Sequence, residues 1–315
     1  MNQKTSQDLK ELEKMTIQFH DAIFNIVNPK SENLVADILS NTTNLERQII
    51  RRYYKKMYNV PIQLDIKSEL NRELKTLAID LFDLPYEFDA RELRRSLTTL
   101  MADDNTIIEI LVTRPKSHLH LTQKIYKKFY KTTLKEDISK LSSKEFSQFL
   151  LILLETPRPT QPTITINDAY NIAKEILRNG LKSYGTDGNL FKKTFVEKSR
   201  EDLILISRAF FELYKKNLYD SFESEISGRN NKLLKGLLFG VITPAQWFAK
   251  KAFKSIQGVG TDENTLFRVM VSRAEVDMDA IREYYFKDNN TDIKNDIEGD
   301  TSGSYGQILM NLSAK

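Results

Sequence analysis

Apolar residues recur with the period of a helix along almost the whole chain. Leu93, Leu97 and Leu100 stand four and three apart, and similar runs fill most segments. This pattern predicts amphipathic α-helices packed against one another. Strand-like alternation is confined to Thr163-Ile-Thr-Ile166, beside Pro157, Pro159 and Pro162. Proline interrupts helices and biases its predecessor away from them, so residues 155–166 read as an extended linker. Within the helical segments one pattern occurs four times. Mostly bulky residues occupy every fourth position in Ile50, Tyr54, Tyr58, Ile62, Ile66 and in Thr122, Tyr126, Tyr130, Leu134, Ile138. The same spacing returns in Ile206, Phe210, Tyr214, Leu218, Phe222 and in Ile281, Tyr285, Asn289, Ile293, Ile297. The starts lie 72, 84 and 75 residues apart. Residues at i and i+4 share a helix face, so each ladder is a core face carried from one helix into the next. Four all-α units of about 70 residues are implied.

The positions able to carry chemistry lie just outside the ladders. Three residues beyond them stand Glu69, Leu141, Glu225 and Asp300. Thirty-nine residues before the last two acids are Thr186 and Thr261, within Ser183-Tyr-Gly-Thr-Asp187 and Gly258-Val-Gly-Thr-Asp-Glu263. The same offset reaches Lys30, in Asn28-Pro-Lys-Ser-Glu32, and Ala102, in Thr99-Leu-Met-Ala-Asp103. The third and fourth units therefore pair a glycine-bearing loop with a distant carboxylate. The first keeps only the acid, and the second keeps neither. All eleven glycines fall between Gly180 and Gly306, and none occurs in residues 1–179. Glycine lets a tight loop aim its carbonyls at one point. A calcium ion takes six to eight oxygen ligands at roughly 2.3–2.6 Å, carbonyls and carboxylates included. The plainer reading of each motif is a helix start, with Thr261 or the Asp300-Thr-Ser-Gly303 turn as a cap and Asp262 and Glu263 at the positive helix end. Loop and acid paired twice at one spacing favour the ion site.

Composition narrows the alternatives. The absence of cysteine excludes disulfides, thiolate metal sites and cysteine nucleophiles. Forty-seven basic and 43 acidic residues leave a formal charge of +4, and the two signs are interleaved, which argues against nucleic acid. The longest apolar run near the middle, Phe149 to Leu154, is far short of the roughly 20 residues of a spanning helix. The polar start, Met1 to Lys14, has no apolar signal core, so a cytoplasmic location is expected. His118 and His120 point to different sides of a helix, and with His20 they are expected in packed or exposed roles rather than as metal ligands. Asp-Thr-Ser-Gly resembles the turn of aspartic proteases, but that chemistry needs two such carboxylates and the chain has one copy in a helical context. No phosphate-binding Gly-x-x-x-x-Gly-Lys-Ser/Thr loop occurs. No catalytic constellation emerges, and no enzyme is expected.

The fourfold repeat, the Gly258-Val-Gly-Thr-Asp-Glu263 loop, the following Leu266-Phe-Arg-Val-Met-Val-Ser-Arg273 and the Gly299-Asp-Thr-Ser-Gly303 turn resemble an annexin fourth repeat. Pro85-Tyr-Glu-Phe-Asp-Ala90 is similar to the start of a second annexin repeat, and Ile242-Thr-Pro-Ala245 to the start of a fourth. The resemblance runs from about His20 to Leu312. It implies a curved disc of four five-helix repeats with calcium sites in loops on the convex face, bridging to anionic phospholipid. The implied organisation is an N-terminal tail (1–17), repeat 1 (18–84), repeat 2 (85–154), the linker (155–166), repeat 3 (167–241) and repeat 4 (242–315). Carried over residue by residue, the implied calcium ligands in repeat 4 are the carbonyls of Ile256, Gly258 and Gly260 and the Asp300 carboxylate. In repeat 3 they are the carbonyls of Leu181, Ser183 and Gly185 and the Glu225 carboxylate, with Ser183 where the family often has glycine. Repeats 1 and 2 depart from the pattern. Val259 and Tyr184 are the implied membrane-contacting tip residues. Lys192, Lys193, Lys250, Lys251 and Lys254 would add about 1 kcal/mol of attraction for each that nears the surface, against the plainer reading of a solvated face. The rival role is a scaffold or cytoskeleton-associated protein with weak or no calcium dependence, since two repeats are eroded. A monomer that assembles on membranes fits either role.

Overall fold

The computed structural model describes residues 6–70, 72–99, 101–257 and 260–315. Every regular element among them is helical, as the periodicity predicts. The first repeat contains α1 (Ser6–Phe24), α2 (Pro29–Asn41), α3 (Asn44–Tyr58), α4 (Ile62–Glu69) and α5 (Arg72–Phe82). The second contains α6 (Pro85–Thr98), α7 (Asp104–Thr113), α8 (Lys116–Tyr130), α9 (Leu134–Ser139) and α10 (Lys144–Glu155). In the third, α11 (Ile166–Asn179) leads through a 3₁₀ turn, Leu181–Gly185, to α12 (Gly188–Phe191) and a π-helical turn, Lys192–Val196. α13 (Arg200–Tyr214), α14 (Leu218–Glu225) and α15 (Gly228–Ile242) complete it. The fourth comprises α16 (Pro244–Ile256), α17 (Glu263–Arg273), α18 (Met278–Asn289), α19 (Ile293–Asp300) and α20 (Gly303–Ser313).

Each ladder spans two of these helices, and its break is written in the backbone. Asn59, Lys131, Lys215 and Asn290 have φ of 57°, 59°, 55° and 56°, and they are the only non-glycine residues with positive φ among those described. Each follows the third rung and donates its N–H to a carbonyl four residues back, over 2.8–3.1 Å. The left-handed region is costly for a lysine, and at Lys131 and Lys215 the helix-ending bond is what it gains in return. The second rung repeats a tie of its own. Tyr54, Tyr126 and Tyr285 donate their hydroxyls to Asp65, Asp137 and Asp296 at 2.6, 2.7 and 2.6 Å. In the third repeat both partners change, to Phe210 and Ser221.

The chain divides into two compact units, one holding the chain up to Phe88 with Phe248–Lys315, the other Asp89–Trp247. In the first, α20 packs along α2. Ser304 donates to Glu32 at 2.8 Å, Gln307 to Asp37 at 2.8 Å, and the Lys315 ammonium to the Thr42 carbonyl at 2.7 Å. Burial there lowers the Lys315 pKa to about 8. In the second, α15 lies close against α7. A Cβ at Gly236 would stand 2.5 Å from Ile108 Cγ2, and one at Gly240 2.9 Å from Val112 Cγ1, so these two glycines serve packing rather than loops.

Of the expected tail, 1–17, residues 6–17 form the start of α1, which runs unbroken through the boundary and buries Leu12 and Thr16, and residues 1–5 lie outside the described residues. Residues 156–165, between α10 and α11, hold no regular element, and this segment is pinned. Thr163 donates its N–H and hydroxyl to buried Asp202 at 2.9 and 2.7 Å. The Arg158 guanidinium donates to the Phe195 and Lys198 carbonyls at 2.8 and 2.6 Å, and burial lowers its pKa to about 10.

Candidate metal site

In the fourth repeat the chain leaves α16 at Ile256 and re-enters a helix at α17, capped by Asp262, whose carboxylate accepts the Thr265 N–H at 3.1 Å. The Asp262 N–H reaches back to the Ser255 carbonyl at 2.8 Å and closes the loop. Gly260 has φ +89°, with open space where a Cβ would sit. Glycine is needed there for its backbone, not for room. α19 brings Asp300 to the same place: Thr261 donates its hydroxyl to Asp300 Oδ2 across the 39-residue offset. Asp300 is exposed at the end of its helix, and Gly303 turns the chain into α20 with φ +63°. The Tyr305 hydroxyl donates to the Glu263 carbonyl at 3.5 Å, tying α20 to the start of α17. Of the four expected ligands, Ile256, Gly260 and Asp300 lie at these helix ends. Gly258, and with it the expected tip residue Val259, lie outside the described residues.

The third repeat is built differently. After Gly180, at φ +78°, the chain winds into its 3₁₀ turn. The Ser183 carbonyl accepts the N–H groups of Thr186 and Asp187 at 3.2 and 2.7 Å. The Gly185 carbonyl accepts Asn230 Nδ2 at 2.6 Å. Two of the three expected carbonyl ligands are therefore engaged within the protein. Leu181 is half-buried and Glu225 is exposed. Thr186 bonds weakly within its own turn rather than to Glu225. Tyr184 corrects the expectation of a tip residue. It is 1% exposed, its hydroxyl accepts from Asn179 Nδ2 at 3.4 Å, and its ring packs against Phe195 and Phe222 at 5.4 and 6.0 Å. Burial pushes its phenol pKa up. Helix spacing does not announce this burial, because Tyr184, Phe191 and Phe195 fall in three different elements. Asn230, which fastens the turn from α15, had no sequence signal.

The eroded repeats keep parts of the frame. In repeat 2 the Asp103 N–H bonds the Ser96 carbonyl at 3.0 Å, the closure seen at Asp262 with the same seven-residue offset. Leu141 stands where an acid would be and packs on the core. In repeat 1, Asn28 caps α2 by accepting the Lys30 N–H at 3.0 Å, and Glu69 is half-buried. His118 takes a structural role, with Nε2 2.7 Å from Asp89 Oδ2, and His20 stacks on Tyr58 at 3.8 Å.

The repeat 4 donors are all hard oxygens, main-chain carbonyls and one carboxylate, a set that fits calcium rather than a softer metal. The Thr261–Asp300 bond draws loop and carboxylate to one point, so the fit rests on observed geometry. Such a set holds few side chains. Accordingly, the described residues contain no group of three or more His, Cys, Asp and Glu placed to hold a metal. The repeat 3 loop does not fit in this conformation, because its Ser183 and Gly185 carbonyls are taken.

A sequence profile of the family described as Annexin matches residues 88–153, 172–237 and 247–312. The chain belongs to the annexin family. It is 30% identical to annexin A13 from Canis lupus familiaris over 281 residues, covering 89% of each. It is 29% identical to annexin A6 from Gallus gallus over 89% of its own length but spans only 42% of that longer relative. A solved structure of annexin III matches with a TM-score of 0.89 at 28% identity, covering 96% of this chain and 94% of the other. Annexins as a family bind phospholipid membranes in a calcium-dependent way. In this annexin, no helix among the described residues is long and apolar enough to cross a membrane.

Proposed function

We propose that this annexin attaches to anionic phospholipid through its repeat 4 loop when calcium is present, as a peripheral and cytoplasmic protein. The observation that carries this is the meeting of Thr261 and Asp300. The carbonyls of Ile256, Gly258 and Gly260 with the Asp300 carboxylate would hold the ion. Thr261 occupies one carboxylate oxygen and fixes the orientation of Asp300, leaving the other oxygen for a cation. Calcium bound there supplies positive charge and open coordination positions for lipid phosphate oxygens, where the bare acids Asp262, Glu263 and Asp300 would be repelled.

Repeat 3 is a second, conditional site in this reading. Its carbonyls of Leu181, Ser183 and Gly185 and its Glu225 carboxylate assemble only if the 3₁₀ turn unwinds and Asn230 releases Gly185. Membrane contact in the closed form is not proposed for Tyr184, which is buried. Val259 remains the proposed tip residue of repeat 4. The protein acts by binding, with no catalytic role. The test is cosedimentation with phosphatidylserine vesicles, in calcium or chelator. Wild type is expected to pellet more in calcium than in chelator, and an Asp300→Asn, Glu225→Gln double variant is expected to lose that calcium increment. Equal pelleting of wild type with and without calcium would overturn the bridging role and favour a scaffold or cytoskeletal one.

A further inference from the structure

α8 buries Leu119, Thr122 and Tyr126 and leaves its other side to solvent. At 100° per residue, exposed His120, Lys124, Lys127, Lys128 and the capping residue Lys131 fall on one arc roughly 100° wide and about 16 Å long. Leu121, 42% exposed, borders the arc. The helix has no acidic residue. None of the four lysines makes a side-chain hydrogen bond or ion pair among the described residues. The acids that follow are already engaged. Glu136 closes the capping box at Thr133, and Asp137 is held by Arg94, Lys140 and Tyr126.

The other repeats show that this charge is not a general feature of the element. At the positions of Lys124, Lys127 and Lys128, the first repeat has Arg52, Lys55 and Lys56. The third has Arg208, Phe211 and Glu212, and the fourth Glu283, Phe286 and Lys287. The three positions carry a net charge of +3 in each of repeats 1 and 2 and zero in each of repeats 3 and 4. The basic helix belongs to the repeats that lack the loop-and-acid pair.

Within its unit the arc also lies away from the loop. At the start of α10, Arg229 joins Asp104 at 2.7 Å and Ser142 at 3.5 Å, beside the 99–103 loop. At its end, the Lys116 ammonium donates to the Leu154 carbonyl and Lys135 pairs with Glu155 at 2.6 Å. α10 has 12 residues, so about 18 Å separates the two ends.

We propose that this face of α8 is a calcium-independent docking surface for an anionic phospholipid bilayer. Its cations are the protein's own, so no bound ion is needed to reverse its charge. Lysines are flexible point charges suited to a plane of phosphates, whereas base recognition draws on the bidentate arginine fork, and the arc contains no arginine. Leu121, exposed beside the lysines, adds one apolar side chain to this face, while the main apolar side of α8 stays in the core.

The test uses the full chain with mixed phosphatidylserine and phosphatidylcholine vesicles in chelator at low ionic strength. Wild type is expected to bind, with affinity falling as salt is added. Each lysine that reaches the surface contributes about fivefold, so Lys124→Gln, Lys127→Gln, Lys128→Gln together weaken binding roughly a hundredfold. The corresponding triple arginine variant retains it, which separates charge from structure. The glutamine variant keeps its calcium-dependent increment and Asp300→Asn keeps the chelator-resistant binding, so either reading can fail alone. Absence of wild-type binding in chelator, or unchanged binding of the glutamine variant, overturns the proposal. So does a loss confined to a soluble polyanion such as poly(U) with vesicle binding intact.

Discussion

Tyr285 and Asp296 form the same tie as Tyr54 with Asp65 and Tyr126 with Asp137, while Phe210 and Ser221 replace both partners together. A hydrogen bond to a charged group is worth about 1.5–3 kcal/mol, and the loss is greatest when one partner is stranded. Tyr285→Phe is therefore expected to lower stability by about 2 kcal/mol in urea unfolding, and the Tyr285→Phe, Asp296→Ser pair by less than the sum of the single changes. Asp89 gives a pH dependence. Burial works against its ionised form, but Arg114 and His118 outweigh it and hold its pKa below the usual carboxylate range. A depressed folded value adds stability that is fully present above the unfolded pKa, about 4, and is lost as pH falls through the folded one. Asp89→Asn should thus be destabilised by about 3–5 kcal/mol at pH 7, because Arg114 loses the carboxylate it pairs with, and thermal melts should show the gap narrowing below about pH 4.

At the scale of elements, the helices were legible because i and i+4 residues must share a buried face, whereas the break after each third rung was not, because two of the four left-handed residues, Lys131 and Lys215, are lysines. The repeat 4 loop was legible for a local reason: its glycines and threonine sit together, and Asp300 stands at a repeat-fixed distance. The repeat 3 turn was not, because Asn230 in α15 fastens Gly185 from 45 residues away and Phe222 helps bury Tyr184. A glycine loop names its possible conformations without choosing among them. Tyr184→Ala in the closed turn creates a cavity and is expected to cost about 3–5 kcal/mol in denaturant unfolding; a tip residue would cost close to nothing. Gly260→Ala is expected to lose calcium-dependent vesicle binding and to lower stability by about 1–2 kcal/mol in thermal melts, since a φ of +89° is strained for alanine even though no neighbour crowds it.

At the scale of the molecule, four repeats share one helical plan while their loops have diverged. The glycine-free first 179 residues keep the ladders, the left-handed caps and, at Asp103, even the loop closure, but not the carboxylate pairing. On this account calcium dependence rests mainly on repeat 4, where loop and acid already meet, and less on repeat 3, whose carbonyls must first be freed. Cosedimentation with phosphatidylserine vesicles across a calcium titration, comparing wild type with the Asp300→Asn and Glu225→Gln single variants, tests this most directly. The account predicts that Asp300→Asn shifts the calcium midpoint upward by tenfold or more, the scale of a lost interaction of about 1.4 kcal/mol, and that Glu225→Gln shifts it less. A wild-type midpoint in the Asp300→Asn variant would contradict it.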